Sequence, residues 1–216
     1  FSSVNRELKL QMTKAAKKQD FEQAGVLRDK LKNLEYLLHT PVAADEFIVN
    51  PNLADDKRKE AVDELIKNLK LKIKNLSRIE MFDIANLSGT AATGAMTVAL
   101  DGQISPKDYR HFTIRKIDTP NDVEMMREML TRRLNNDWPK PDLIILDGGT
   151  TQLSIVDWDT PTFGLAKHDE IIYGVDGTQI KLDRNNSGLQ LLQLLRDEAH
   201  RFSRRLHHKH RSATIK

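Results

Sequence analysis

The chain has 216 residues, enough for one sizeable core and a smaller attachment. Its composition is 39% apolar and 30% charged, too apolar for a disordered chain, and no apolar run approaches the ~18 residues of a membrane helix. The absence of cysteine excludes disulfides, zinc ribbons and thiol catalysis, and fits a reducing cytoplasm.

The chain begins at Phe1 rather than Met, as expected of a fragment or a processed protein, and no signal peptide is visible. Net charge is only +3, so its distribution matters more than its sum. From Arg196 to Lys216 there are seven Lys/Arg, four His and two acids. Such a basic end suits a polyanion and equally suits a solvated helix end.

Apolar spacing predicts two helices between residues 3 and 38. Leu8, Met12, Ala15 and Ala16 mark the first, and Phe21, Ala24, Leu27, Leu31, Leu34 and Leu38 the second. Asp20, with Gln23 three residues on, can cap the second. Such a hairpin has little core of its own, so its stripe calls for a partner. Pro41 and Pro51 punctuate a linker, and a third helix is expected from about Ala54 to Leu71.

The texture then changes. Strands are predicted at Arg78–Ile84 and Thr93–Leu100, with Asp101-Gly102 as a hairpin turn and a long third strand from Ile104 to Lys116. A helix opens at Pro120-Asn121 and runs through Leu134. Then come a short apolar strand at Asp142–Asp147, a helical turn at Thr150–Val156, a possible strand at Thr162–Ala166 and a small hairpin at Ile171–Leu182. A last helix runs from about Ser187 past Leu206. This is an α/β order. It matches a ribonuclease H-like fold, a mixed five-stranded sheet flanked by helices and preceded by an α-helical hairpin. Element order alone fits several other folds as well.

Side chains alternate along a strand, so Asp147 shares a face with Leu143 and Ile145, and Asp83 with Ile79 and Met81. A carboxylate ending an apolar row is costly unless paired or bound to a metal. Two such rows meeting at one sheet end could hold Mg²⁺ or Mn²⁺, hard cations that prefer oxygen. Two ions about 4 Å apart can promote phosphodiester hydrolysis. Either aspartate alone is as readily a cap or turn residue. His200 sits at the edge of the last helix's apolar stripe, where a surface role is the commoner one. His207, His208 and His210 lie in a basic tail without an acidic partner, which favours solvation.

These segments resemble the UvrC family. The hairpin is similar to the UVR motif through Leu8, Met12, Ala15-Ala16, Asp20-Phe21-Glu22, Ala24, Arg28-Asp29 and Leu31. The remainder is similar to the family's nuclease domain through Arg78–Ile84, Asp108–Ile114, Asn121–Arg133, Pro141–Gly149 with Gln152-Leu153, Gly164–Lys167 and Leu195–Phe202.

The resemblance implies a hairpin over 1–40, a linker and helix over 41–76 and a ribonuclease H-like endonuclease over 77–216. It implies Asp83, Asp147 and His200 as metal ligands and catalytic residues, with Asp122 as a further acid. It implies incision 5′ to a lesion in damaged double-stranded DNA, in the cytoplasm and in complex with UvrB. The expected hairpin contacts are Phe21, Ala24, Leu27, Arg28 and Leu31. Arg110, Arg132, Arg133, Arg201, Arg204 and Arg205 are the expected DNA contacts. A weakly cutting module that binds UvrB and DNA, and a different ribonuclease H-like nuclease such as a recombinase, are the alternatives. Three departures stand out: Asn86 where the family has His, Thr150 where it has Lys, and a helix cut short after Gln152. The lost helix should bare one face of the sheet unless something else covers it.

Overall fold

The computed structural model describes residues 2–17, 20–28, 53–85, 92–114, 121–166 and 170–214. The chain divides into two compact units, Phe1–Leu53 and Ala54–Lys216.

In the first unit, helix α1 spans Ser2–Lys17 and a second helix, α2, covers residues 21–28. Asp20 caps α2 as its position suggests: its Oδ1 accepts the Gln23 N–H at 3.0 Å. Ala15 and Leu27 are buried, whereas Leu10, Phe21 and Val26 face solvent. Leu31, Leu34 and Leu38 lie outside the described residues.

The second unit begins with α3, Leu53–Asn68, whose Ala61 and Leu65 enter the core as spaced. Its sheet contains β1 (Arg78–Ala85), β2 (Thr93–Leu100), β3 (Gln103–Ile104), β4 (Arg110–Thr113), β5 (Leu143–Asp147), β6 (Thr162–Leu165), β7 (Ile171–Gly174) and β8 (Gln179–Lys181). Three further helices complete it: α4 (Asp122–Leu134), α5 (Thr150–Leu153) and α6 (Ser187–Thr214).

The strand order is β3-β2-β1-β5-β6-β7-β8, with β4 also on β2. Strands β1, β5 and β6 run parallel at the centre, β2 and β7 flank them antiparallel, and β8 pairs antiparallel with β7 at the edge. The third strand is not continuous. Pro106 has no N–H to give to a ladder, and Pro106–Asp108 forms a 3₁₀ turn that splits it into β3 and β4. The β7–β8 hairpin widens the sheet beyond the five strands expected.

The sheet buries both faces. On one, α3 and α6 cover Ile79, Met81, Ala99, Leu143 and Ile145. On the other, α4 covers Phe82, Met96, Val98, Ile144 and Leu146. The shortened α5 leaves no gap in this second layer. Leu153 and Ile155 turn inward there with Val156 and Trp158, and Trp158 Nε1 is held by Thr162 Oγ1 at 2.9 Å.

A charged cluster is buried in the second layer. Glu80 accepts from Arg78 Nε at 2.7 Å and from Arg133 Nε and Nη2 at 2.8 and 2.7 Å. Arg133 also reaches the Pro139 carbonyl. The sequence reading of Arg133 as a DNA contact is therefore corrected. Its side chain is only 1% exposed, and its donors are committed to the core.

Candidate active site

The register of β1 against β5 builds the site. Ile79 pairs with Leu143, Met81 with Ile145 and Phe82 with Leu146, so the same offset sets Asp83 beside Asp147. Both carboxylates end apolar rows on the α6 face, at the carboxyl ends of two central parallel strands, where open α/β sheets bind ligands. At the other end of the pair, Asp142 accepts the backbone N–H groups of Ser77 and Arg78 at 2.9 and 2.8 Å, which locks the register.

Helix α6 brings the third group. Leu192, Leu195 and Ala199 are fully buried against the sheet, and His200 is carried next to them. Its Nδ1 lies 3.0 Å from Asp83 Oδ2 and its Nε2 lies 3.7 Å from Asp147 Oδ2. An ionised carboxylate only accepts, so Nδ1 carries the proton toward Asp83. The side chains of Asp83 and Asp147 are 6% and 2% exposed, against 26% for His200.

Contacts on both flanks hold α6 in place. Thr97 Oγ1 donates to the Leu195 carbonyl at 3.0 Å. Arg196, one turn before His200, pairs with both oxygens of Glu170 at 3.1 and 2.9 Å. Burial alone would pull the Arg196 guanidinium down, but Glu170, Asp197 and Asp147 outweigh it and hold it above its ordinary pKa. On the other flank Tyr109 donates to Glu198 at 3.1 Å, and Phe202 stacks on His111 with ring centroids 3.7 Å apart. Burial first, and then the Glu198 carboxylate, push the Tyr109 hydroxyl pKa well up.

The donor set fits a divalent cation. Ligand atoms of Asp83, Asp147 and His200 lie within 4.8 Å of one another. Two carboxylates side by side and largely out of water disfavour one another's charge, and a cation relieves this. The adjoining cleft is lined by Asp83, Asp122, Asp147, Gly148, Gly149 and Gln152, among others, and none of the described residues lining it is Lys or Arg. Asp122, in the first turn of α4 after its Asn121 cap, thus shares the cleft with the aspartate pair.

The candidate DNA contacts are scattered. Arg201 is exposed one residue from His200 and paired with Glu198. Arg110 stands opposite Met96, on the α4 side of the sheet, with its guanidinium over Trp138 and bonded to the carbonyls of Lys107 and Tyr109. Arg132 donates to the Thr113 carbonyl at 2.8 Å and lies over Phe112. The sheet therefore separates Arg110 from the acidic pair. The side chains of Arg204 and Arg205, and residues 29–52 with Leu31, fall outside the described residues. In the hairpin, Phe21 is 72% exposed, Arg28 is exposed, Ala24 is half-buried and Leu27 is buried.

Sequence reasoning passed over Arg196, Glu170 and Gln152 as parts of this site. Arg196 carried a usable signal, since it precedes His200 by four residues and so shares its helix face.

Two antiparallel-paired strands beside parallel central ones, with an aspartate at the end of each of two neighbours and a helix closing over them, define a ribonuclease H-like nuclease domain. The family model described as the UvrC RNAse H endonuclease domain matches residues 67–203, and the UvrB/uvrC motif matches residues 3–37. UvrABC system protein C of Flavobacterium psychrophilum is 34% identical over 97% of this chain and 36% of its own length. That of Moorella thermoacetica is 37% identical over 63% of this chain and 25% of its own. The chain thus spans about a third or less of the curated relatives it matches. Among solved structures, Ciona intestinalis endonuclease V in complex with an inosine-containing 24mer DNA is similar at 14% identity. The match covers 55% of this chain and 59% of that one, with a TM-score of 0.34. The chain belongs to the UvrC family.

Proposed function

We propose that this chain is the endonuclease part of an excision-repair protein, cutting one DNA strand 5′ to a lesion while its N-terminal hairpin engages UvrB. The observation that carries this reading is the assembly of Asp83, Asp147 and His200 from two strands and the last helix into one cluster.

Asp83 and Asp147 would hold Mg²⁺ or Mn²⁺, with His200 as a third donor. A divalent ion bound there supplies Lewis-acid stabilisation of charge on phosphoryl oxygens. The protein's own contributions are distinct. The β1–β5 register keeps the carboxylates adjacent before substrate arrives. His200 orients Asp83 through Nδ1, and its Nε2, 3.7 Å from Asp147 Oδ2, is the nitrogen that would serve as the third donor. Asp122 adds a further acid to the cleft. Arg201, next to His200 in the chain, is a candidate DNA contact. In the hairpin, Phe21 offers UvrB its exposed ring, beside Ala24, Leu27 and Arg28. Two of the departures, Thr150 for Lys and the helix cut short after Gln152, leave the cluster of Asp83, Asp147 and His200 intact, which favours cutting over a module that only binds.

The test is nicking of supercoiled plasmid by the chain in Mg²⁺, Mn²⁺ or EDTA, alone and with UvrB on a lesion-bearing duplex, beside Asp83→Asn. Metal-dependent nicking that disappears in the variant is expected. Nicking that survives Asp83→Asn, or binding to UvrB and DNA with no cleavage under any of these conditions, would refute the reading.

A further inference from the structure

Among the described residues, the lining of the nuclease cleft carries three carboxylates and no Lys or Arg, a poor match for its proposed substrate. A phosphodiester entering it needs hydrogen-bond donors. Two backbone donors beside the pair are already used: the Gly148 N–H is bonded to the Leu165 carbonyl at 3.1 Å and the Gly149 N–H to Gln152 Oε1 at 3.1 Å.

That second bond also orients the Gln152 carboxamide. Its oxygen is fixed on the backbone, so its nitrogen points the other way and keeps both N–H groups. Among the described residues this nitrogen has no protein partner. The side chain is held firmly. It packs directly over Gly148, where a Cβ would meet the Gln152 side chain at 2.4 to 2.8 Å and where φ is +153°. Only glycine leaves that space, so the turn after Asp147 is shaped around the carboxamide.

We propose that Gln152 is the substrate-positioning residue of the cleft, its carboxamide N–H₂ donating to a non-bridging oxygen of a DNA phosphate held beside Asp83 and Asp147. The inference rests on the nuclease reading above. It assigns to a neutral side chain the phosphate contact that the acidic lining withholds. A neutral donor reaches the phosphate without adding a charge that pairs with the aspartates.

The glutamate variant separates this role from simple helix capping. Gln152→Glu keeps the acceptor for the Gly149 N–H and the side-chain volume, but removes both donors. Gln152→Met keeps bulk and removes acceptor and donors alike. Two readouts apply to the full chain. The first is fluorescence anisotropy of a labelled duplex in Ca²⁺, and the second is kcat/KM for plasmid nicking in Mn²⁺. Both variants are expected to bind the duplex and to nick roughly tenfold or more weakly, the usual worth of a hydrogen bond to a charged group. The melting temperature of Gln152→Glu should stay within about 2 °C of the native protein.

Native-like binding and nicking by both variants would reduce Gln152 to a capping residue. A loss in Gln152→Glu with a native-like Gln152→Met would mean charge repulsion without a contact, and would equally overturn the proposal. Failure of the underlying nuclease reading looks different, because Asp83→Asn would then cut as well as the native chain.

Discussion

Replacing Glu80 with leucine is expected to destabilise the nuclease unit by about 3–5 kcal/mol, the usual result of stripping one partner from a buried ion cluster. Glu80 is fully buried, and it is the acceptor of three charged hydrogen bonds from guanidiniums that are 8% and 1% exposed. Without it, among the described residues Arg78 keeps Asp108 at 3.7 Å, and Arg133 keeps the Pro139 carbonyl and the Trp138 ring, 5.6 Å to its centroid. Arg133→Met should cost less, since Arg78 still neutralises Glu80 at 2.7 Å. Replacing all three with Met, Leu and Met should recover most of the loss, because well-packed apolar groups stand in for buried ions at little cost. Urea unfolding at neutral pH gives the free energies directly. Calorimetry should show Glu80→Leu melting about 10 °C lower, from 2–4 °C per kcal/mol for a unit of this size. A loss under about 1 kcal/mol, or a triple variant weaker than the single one, would refute the argument that the cluster is held by charge pairing in a dry interior.

Three other predictions follow from the site and its supports. Mn²⁺ at ten times its dissociation constant should stabilise the native chain by about 1.4 kcal/mol in thermal melts, and this gain should vanish when Asp83 and Asp147 are both Asn. Gly164→Ala should lower stability by about 1–3 kcal/mol and reduce nicking with it. Its Cβ would lie 2.7 Å from the Gly148 carbonyl oxygen, a backbone atom beside Asp147 that cannot swing aside. Tyr109 titrates higher folded than unfolded, so its contribution to stability is complete below about pH 10 and is lost as pH rises beyond it. In Tyr109→Phe the alkaline decline in stability between pH 9 and 11 should be shallower, as read by urea midpoints across that range.

The aspartate pair was readable because strand parity is strict: two residues per repeat puts Asp83 in line with Met81 and Ile79 whatever the surrounding fold. The same rule put Glu80 with Phe82 on the opposite, buried face, which was the unused sign that a basic residue elsewhere must come inside to meet it. Arg133 was misread because charge in a sequence suggests water, and only the tertiary pairing shows otherwise. His200 looked peripheral for a related reason: the edge of a helical stripe is neither core nor surface until a neighbouring strand is present. The split third strand was legible in Pro106. The covering of the second face was not. Ile155 and Trp158 follow α5 with no helical period, and their inward turn depends on Thr162, which accepts the indole N–H. Asp122 joined the cleft only through the packing of α4 on the sheet, which no local pattern encodes.

The hydrogen bond between Asp83 and His200 joins positions 117 residues apart. Its formation is therefore one of the last events available to a chain made from its N-terminus. The segment of residues 3–37 that matches the UvrB/uvrC motif leaves the ribosome while the sheet is still being synthesised. The cluster of carboxylates and imidazole, by contrast, has no partial form. Neither a nascent chain nor one cleaved before α6 carries the assembled cluster, so the cluster arises only together with the finished fold.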